Sequence, residues 1–194
     1  MTIILSIGVI IYFIMDQFEY SLVHRFTFWL LPLFTCYLFT KTFKWTPLNG
    51  TLLLAIVIFA AVVSWFQANA TLIRQEKRVR YYFENDQHEE VPVYRRVVTS
   101  QGGRRYLEGW VLVMIVQVVI EVTYLNKAFT AHNVWEMVWE EIIGDLVSFY
   151  RFTSGTRQTS WIIWALLGFT SLGYTLWLAR RSPEVHEAIF SSNN

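Results

Sequence analysis

The chain has 194 residues, 54% of them hydrophobic and 16% charged, with a formal net charge of +1. A soluble domain of this length carries about a quarter charged residues, so the composition excludes a well-hydrated globular surface and points to a bilayer as solvent. The single cysteine, Cys36, excludes an intrachain disulfide framework and a cysteine-based zinc site.

Five apolar segments follow one another and predict an all-α integral membrane protein with about five transmembrane helices. Helices are expected because only helices and closed barrels satisfy their backbone in lipid, and these runs lack the alternation of a barrel. The first segment is read as 3–20. Its apolar run, Ile3 to Met15, is shorter than the ~20 residues a span needs, so it is expected to continue past Asp16 to Tyr20. It lacks a basic leading region and a small-residue cleavage site, and reads as a retained helix rather than a leader. The second segment, 26–43, contains Pro32. The third, 51–67, follows "TPLNG", which reads as a turn.

Residues 68–109 form a basic loop on the cytoplasmic side. Within "RVRYYFENDQHEEVPVYRRVVTSQGGRRYLEGW" the runs Val79 to Phe83 and Val91 to Thr99 are β-prone, and "QGG" follows as a turn. A small hairpin at the membrane face is the expectation. The fourth span covers 110–128 and the fifth 160–181, leaving a cytoplasmic tail of 182–194.

Between the last two spans, 129–159 carries "HNVWEMVWEEIIGDLVSFYRF". Apolar residues at i, i+3, i+4 and i+7 predict an amphipathic helix over 133–151. Its other face holds Glu136, Glu140, Glu141 and Asp145. At ~2.5 to 3.5 kcal/mol each, four acids at the bilayer centre would cost on the order of 10 kcal/mol. The helix is therefore expected to lie flat on the outer surface, with Trp135, Trp139 and Tyr150 as interfacial anchors.

Orientation follows from the basic residues. The long loop (Arg74, Lys77, Arg78, Arg80, Arg95, Arg96, Arg104, Arg105), the first connection (Arg25) and the tail (Arg180, Arg181) hold eleven of the sixteen. With five spans these regions share one side. The positive-inside rule makes it the cytoplasm of a bacterial cell membrane, with the N-terminus outside.

Candidate chemistry is sparse. Glu121 is the one acid inside an apolar run, with Gln117 a turn earlier on the same face, and an intramembrane ionisable group is a functional candidate. Asp16 and His24, with Glu19 and Arg25 nearby, offer a carboxylate–histidine pairing at the inner interface. His132, Glu136 and Glu140 lie at i, i+4, i+8, a weak metal-ligand pattern. His132 precedes the helix cap, so a solvated acidic face is the stronger expectation, and neither metal nor cofactor is implied. The eight loop cations either hold anionic lipid headgroups, at ~1 kcal/mol each, or only set topology. Nucleic acid is disfavoured, because Glu84, Asp86, Glu89 and Glu90 cancel much of the basic field. Ala165, Gly168 and Ser171, with Gly173 close by, offer a face for close helix packing.

No nucleotide-binding, zinc-protease, serine-hydrolase or dithiol motif occurs. The expected function is an accessory or regulatory subunit acting through helix packing and interfacial elements. Its expected partners are membrane lipids and another membrane protein or a second copy. The alternatives are a membrane-embedded enzyme on lipid or lipid-linked substrates, using the interfacial carboxylates, and an oligomeric channel or carrier.

Overall fold

The computed structural model describes residues 11, 14–84, 89–124 and 161–191. It is mostly helical, and the expected hairpin is present as part of a small three-stranded antiparallel sheet, whose third strand was not expected. In chain order the elements are β1 (Ser21–Leu22), α1 (Arg25–Thr42), α2 (Pro47–Ala70), β2 (Leu72–Glu84), β3 (Glu90–Gln101), α3 (Gly103–Tyr124), α4 (Trp161–Arg181) and α5 (Pro183–Phe190).

Several boundaries differ from the sequence expectation, each for a local reason. The first segment does not stay helical to Tyr20. Its helical residues stop at Asp16, followed by turn bonds from Phe18 N to Met15 O and from Glu19 N to Asp16 O. "TPLNG" is a helix start, not a turn. Thr46 caps α2 by accepting from Asn49 N at 3.1 Å, and Pro47 takes the first helical position, where its missing N–H costs nothing. The hairpin strands are 13 and 12 residues long rather than short runs. Gly103, at φ 66, turns the chain out of β3 and into α3, so Arg104 and Arg105 belong to a first helical turn and not to a loop.

α4 is the central helix, packed on α1 and α2. Close approach is set by glycine: a Cβ on Gly168 would sit 3.1 Å from Thr35 Oγ1, and one on Gly173 would sit 2.9 Å from Ser64 Cβ. Pro32 removes the N–H that would satisfy Phe28 O one turn back in α1. Thr175 of α4 supplies the replacement, donating to Phe28 O at 3.3 Å.

The helices share an apolar core of Ile56, Val63, Val113, Ile162, Ala165 and Leu166, yet also bury polar side chains and expose many aliphatic ones. Thr35, Ser64, Gln67, Gln117, Thr170 and Ser171 are buried, whereas Leu30, Leu33, Leu54, Ile58, Val62, Ile115 and Val119 are exposed. Two helices, α2 and α4, are long and apolar enough to cross a membrane. The other described helices fall short of five such spans: α1 is bounded by Arg25 and Lys41, while α3 begins with Arg104, Arg105 and Glu108. The segment predicted as an amphipathic helix over 133–151 lies outside the described residues.

Candidate functional site

Three connections converge at one end of the bundle. β1 pairs with β3 through Ser21–Ser100 and Leu22–Thr99, and Val23 N donates to Val98 O at 2.9 Å. Val23, Ala68, Leu178, Val185 and Ile189 form a buried cluster on which Ile73 and Val98 pack. The sheet base, the start of α1, the end of α2 and the tail helix α5 are thus one unit. Arg181 fastens it, donating to the carbonyls of Ala68 and Asn69 at 2.7 Å each and of Thr71 at 3.1 Å. These are carbonyls of the last turn of α2 and its cap, which lack helical partners, and a cation there also meets the negative end of the helix dipole.

Beside Arg181 lies a buried polar chain. Gln67 Nε2 donates to Tyr106 O at 2.9 Å, Thr71 Oγ1 donates to Gln67 O at 3.0 Å, and Thr71 Oγ1 lies 3.1 Å from the Tyr174 hydroxyl. Gly109 makes room for Gln67, since a Cβ there would stand 2.5 Å from its side chain. Three further buried groups, Trp110 Nε1, Gln117 Nε2 and Thr170 Oγ1, have no hydrogen-bond partner among the described residues.

The predicted site residues fare unequally. Asp16 ends the first helical turns, half-buried beside Gln17, whose carbonyl accepts from Gly103 N at 2.8 Å. Gln101 Nε2 also donates to Phe18 O. His24 is exposed at the N-cap of α1, and its side chain makes no cap bond. No hydrogen bond or ion pair among the described residues joins Asp16 to His24. Glu121 lies in the last turns of α3, and its side chain is outside the described set. His132, Glu136, Glu140, Trp135, Trp139 and Tyr150 also lie outside it. Among the described residues, no three His, Cys, Asp or Glu side chains come together as a metal site.

The loop cations separate by position. Arg104 pairs with Glu108 at 2.8 Å, Arg105 lies over the Phe66 ring, and Arg74 lies over the Tyr20 ring, all near the helix ends. Lys77, Arg78, Arg80, Arg95 and Arg96 sit further out on the ribbon, where Arg78 pairs with Glu76 at 3.5 Å. Lys77 stands directly opposite Arg96, and Arg78 opposite Arg95. A bulge between Val79 and Tyr81 leaves Arg80 as the extra residue. Beyond it Tyr81, Tyr82, Phe83 and Tyr94 are exposed.

Sequence reasoning missed the Arg181 clasp and the Gln67–Tyr106 bond. The available signals were a polar Gln67 at the end of an apolar run and a paired arginine closing the last span. No protein-family model, curated protein or solved structure matches the chain.

Proposed function

We propose that the chain is a multi-pass protein of the cell membrane that acts by association, as an accessory or regulatory subunit, with its N-terminus outside and its C-terminus cytoplasmic. The observation that carries the association is the β2–β3 ribbon. It runs past the body that supports its base, and Tyr82 and Tyr94 stand on it at 60% exposure among the described residues. A two-stranded ribbon is marginal alone, and clustered exposed aromatics mark an interaction surface.

The membrane setting is supported by the outward aliphatic residues of α1 to α3 and by the tryptophans. Trp161 and Trp177 bracket α4, about 24 Å apart at 1.5 Å per residue, close to the spacing of two interfacial belts. Phe43 and Trp45 join Trp161 in one aromatic group, at 5.0 to 5.8 Å between ring centroids. A five-span reading takes α1 as leaving the sheet end and α2 as returning to it, α3 as leaving and α4 as returning, and adds the apolar run of sequence before Asp16 as the fifth. The same convergence gathers Arg25, Arg74, Arg104, Arg105, Arg180 and Arg181 at one end, which the positive-inside rule assigns to the cytoplasm.

The test is purification from native membranes in mild detergent, followed by measurement of the assembly mass. A second, different chain at fixed stoichiometry is the expected result. A lone monomer carrying stoichiometric metal would overturn the reading in favour of an enzyme.

A further inference from the structure

We infer that the open edge of β3 is a docking site for an acidic, extended segment of a partner protein. This inference rests on the association proposed above and names its surface and chemistry.

The edge is free where it matters. β1 covers β3 only at Val98, Thr99 and Ser100, and no strand neighbours Val91 to Val97 on that side among the described residues. In an antiparallel ladder the main-chain groups of alternate residues point to the same edge. Because Val98 O accepts from Val23 N, the N–H and C=O of Arg96 and Tyr94 point to the open edge too. A strand added in line with β1 would extend an existing pairing, and main-chain bonds of this kind supply affinity while side chains supply specificity.

Charge selects the partner. Lys77 and Arg96 face each other at a non-hydrogen-bonded pair, where cross-strand side chains are closest and like charges repel. Carboxylates placed beside them remove that repulsion and gain two cations. Immediately outward, Tyr94 and Tyr82 share the same face, and Tyr81 and Phe83 occupy the opposite one. The matching segment is therefore acidic with apolar residues following.

A bilayer fits the ribbon poorly. A ribbon lying on lipid has one apolar and one polar face, whereas here each face carries a like-charged basic pair and then aromatics. Its far end holds Glu84, Glu89 and Glu90, which an anionic surface repels. Along the strand Lys77 stands about 17 Å from Leu72 at 3.4 Å per residue, so a ribbon rising from the helix ends would carry it clear of a headgroup layer roughly 5 to 7 Å deep. A second copy in the same membrane fits no better, since its ribbon points the same way and sets acidic tip against acidic tip.

The experiment places a photo-crosslinking amino acid at Tyr94 of the full chain in its native membrane, with the same group at the outward-facing Leu54 as the lipid control. The expected result is one protein adduct at Tyr94 whose cross-linked peptide is acidic. Its yield should fall at least about tenfold in the double variant K77E/R96E, persist in K77R/R96K, and decline as salt is raised from about 0.05 to 0.5 M. A lipid adduct, an adduct with a second copy, or a yield unmoved by charge reversal and by salt overturns the inference. If the partner still co-purifies with K77E/R96E, the ribbon is not the site while association stands. If the unaltered chain purifies alone, the proposed function itself fails.

Discussion

The helical bundle and the β2–β3 ribbon both expose apolar side chains, but the two exposures have different physical meanings. In the bundle many outward residues are aliphatic, the interior mixes Ile56, Val63, Val113, Ile162 and Leu166 with small and polar residues, and several close approaches have a device behind them. Gly173 admits Ser64, Thr175 serves Phe28 O, and Arg181 closes the end of α2. A bilayer covers such a surface without further help. Among the described residues the ribbon has no comparable interior beyond Lys77, and its aromatics Tyr81, Tyr82, Phe83 and Tyr94 are exposed. A bilayer would satisfy the first region; the second is the surface proposed above to take another polypeptide.

Substitutions break this comparison in order of size. The largest loss is expected for Gly173→Val, because added carbons would drive α4 into the Ser64 side chain. Overpacking of this kind costs about 1 to 3 kcal/mol and more where backbone must move. Thermal unfolding in detergent should show the drop, and Ser64→Gly should recover part of it, as expected for sites in contact.

Arg181→Met comes next. It removes charge-assisted donation to three carbonyls and leaves them at a partly buried junction, at a cost of about 1.5 to 3 kcal/mol. Arg181→Lys should restore little of the loss, since an ammonium lacks the planar fork. Equal unfolding midpoints for the two variants and the unaltered chain would remove Arg181 as the fastener.

The ribbon should answer in the opposite sense. Tyr82→Ser with Tyr94→Ser is expected to move the unfolding midpoint within the roughly 0.5 kcal/mol typical of surface changes, because both rings are 60% exposed. The same pair should sharply reduce co-purification of the partner. A large stability loss would mean instead that the aromatics hold the ribbon itself together.

The smallest effect concerns pH. The Ser182 hydroxyl donates to Glu184 at 2.6 Å and, with the backbone, holds that carboxyl below its ordinary 4.5. A carboxyl lowered in the folded state contributes stability that is complete above about 4.5 and is lost as the pH falls below it. Because Glu184 is fully exposed, the loss should be slight, and Glu184→Gln should abolish it in a pH series of unfolding midpoints.

Much of the helical architecture was legible in the sequence because it rests on local signals. The apolar runs marked α1 to α4, and the basic residues grouped the first connection, the long loop and the tail, which the fold brings to one end. The β-prone runs announced a hairpin but not its length, since Leu72 to Glu76 are held as strand by Val97 to Gln101 across the sheet. β1 is two residues whose pairing depends wholly on β3. Pro47 and Gly50 misled because the same residues that punctuate a turn also begin a capped helix. The site was less legible. The eight cations were identifiable as a basic loop, but their division into a helix-end set and a ribbon set depends on strand register. Asp16 and His24 are close in sequence, yet the fold sets Asp16 beside Gln17, which is bonded to the start of α3, and leaves His24 exposed.

Hydrogen exchange of the ribbon amides, compared between native membranes and the chain purified without its partner, tests the central claim most directly. The account predicts that the amides of Tyr94 and Arg96 are protected in the membrane and exchange rapidly after purification, while those of α2 and α4 stay slow in both. Rapid exchange at Tyr94 and Arg96 in the native membrane would contradict it, because an edge left open there has no partner.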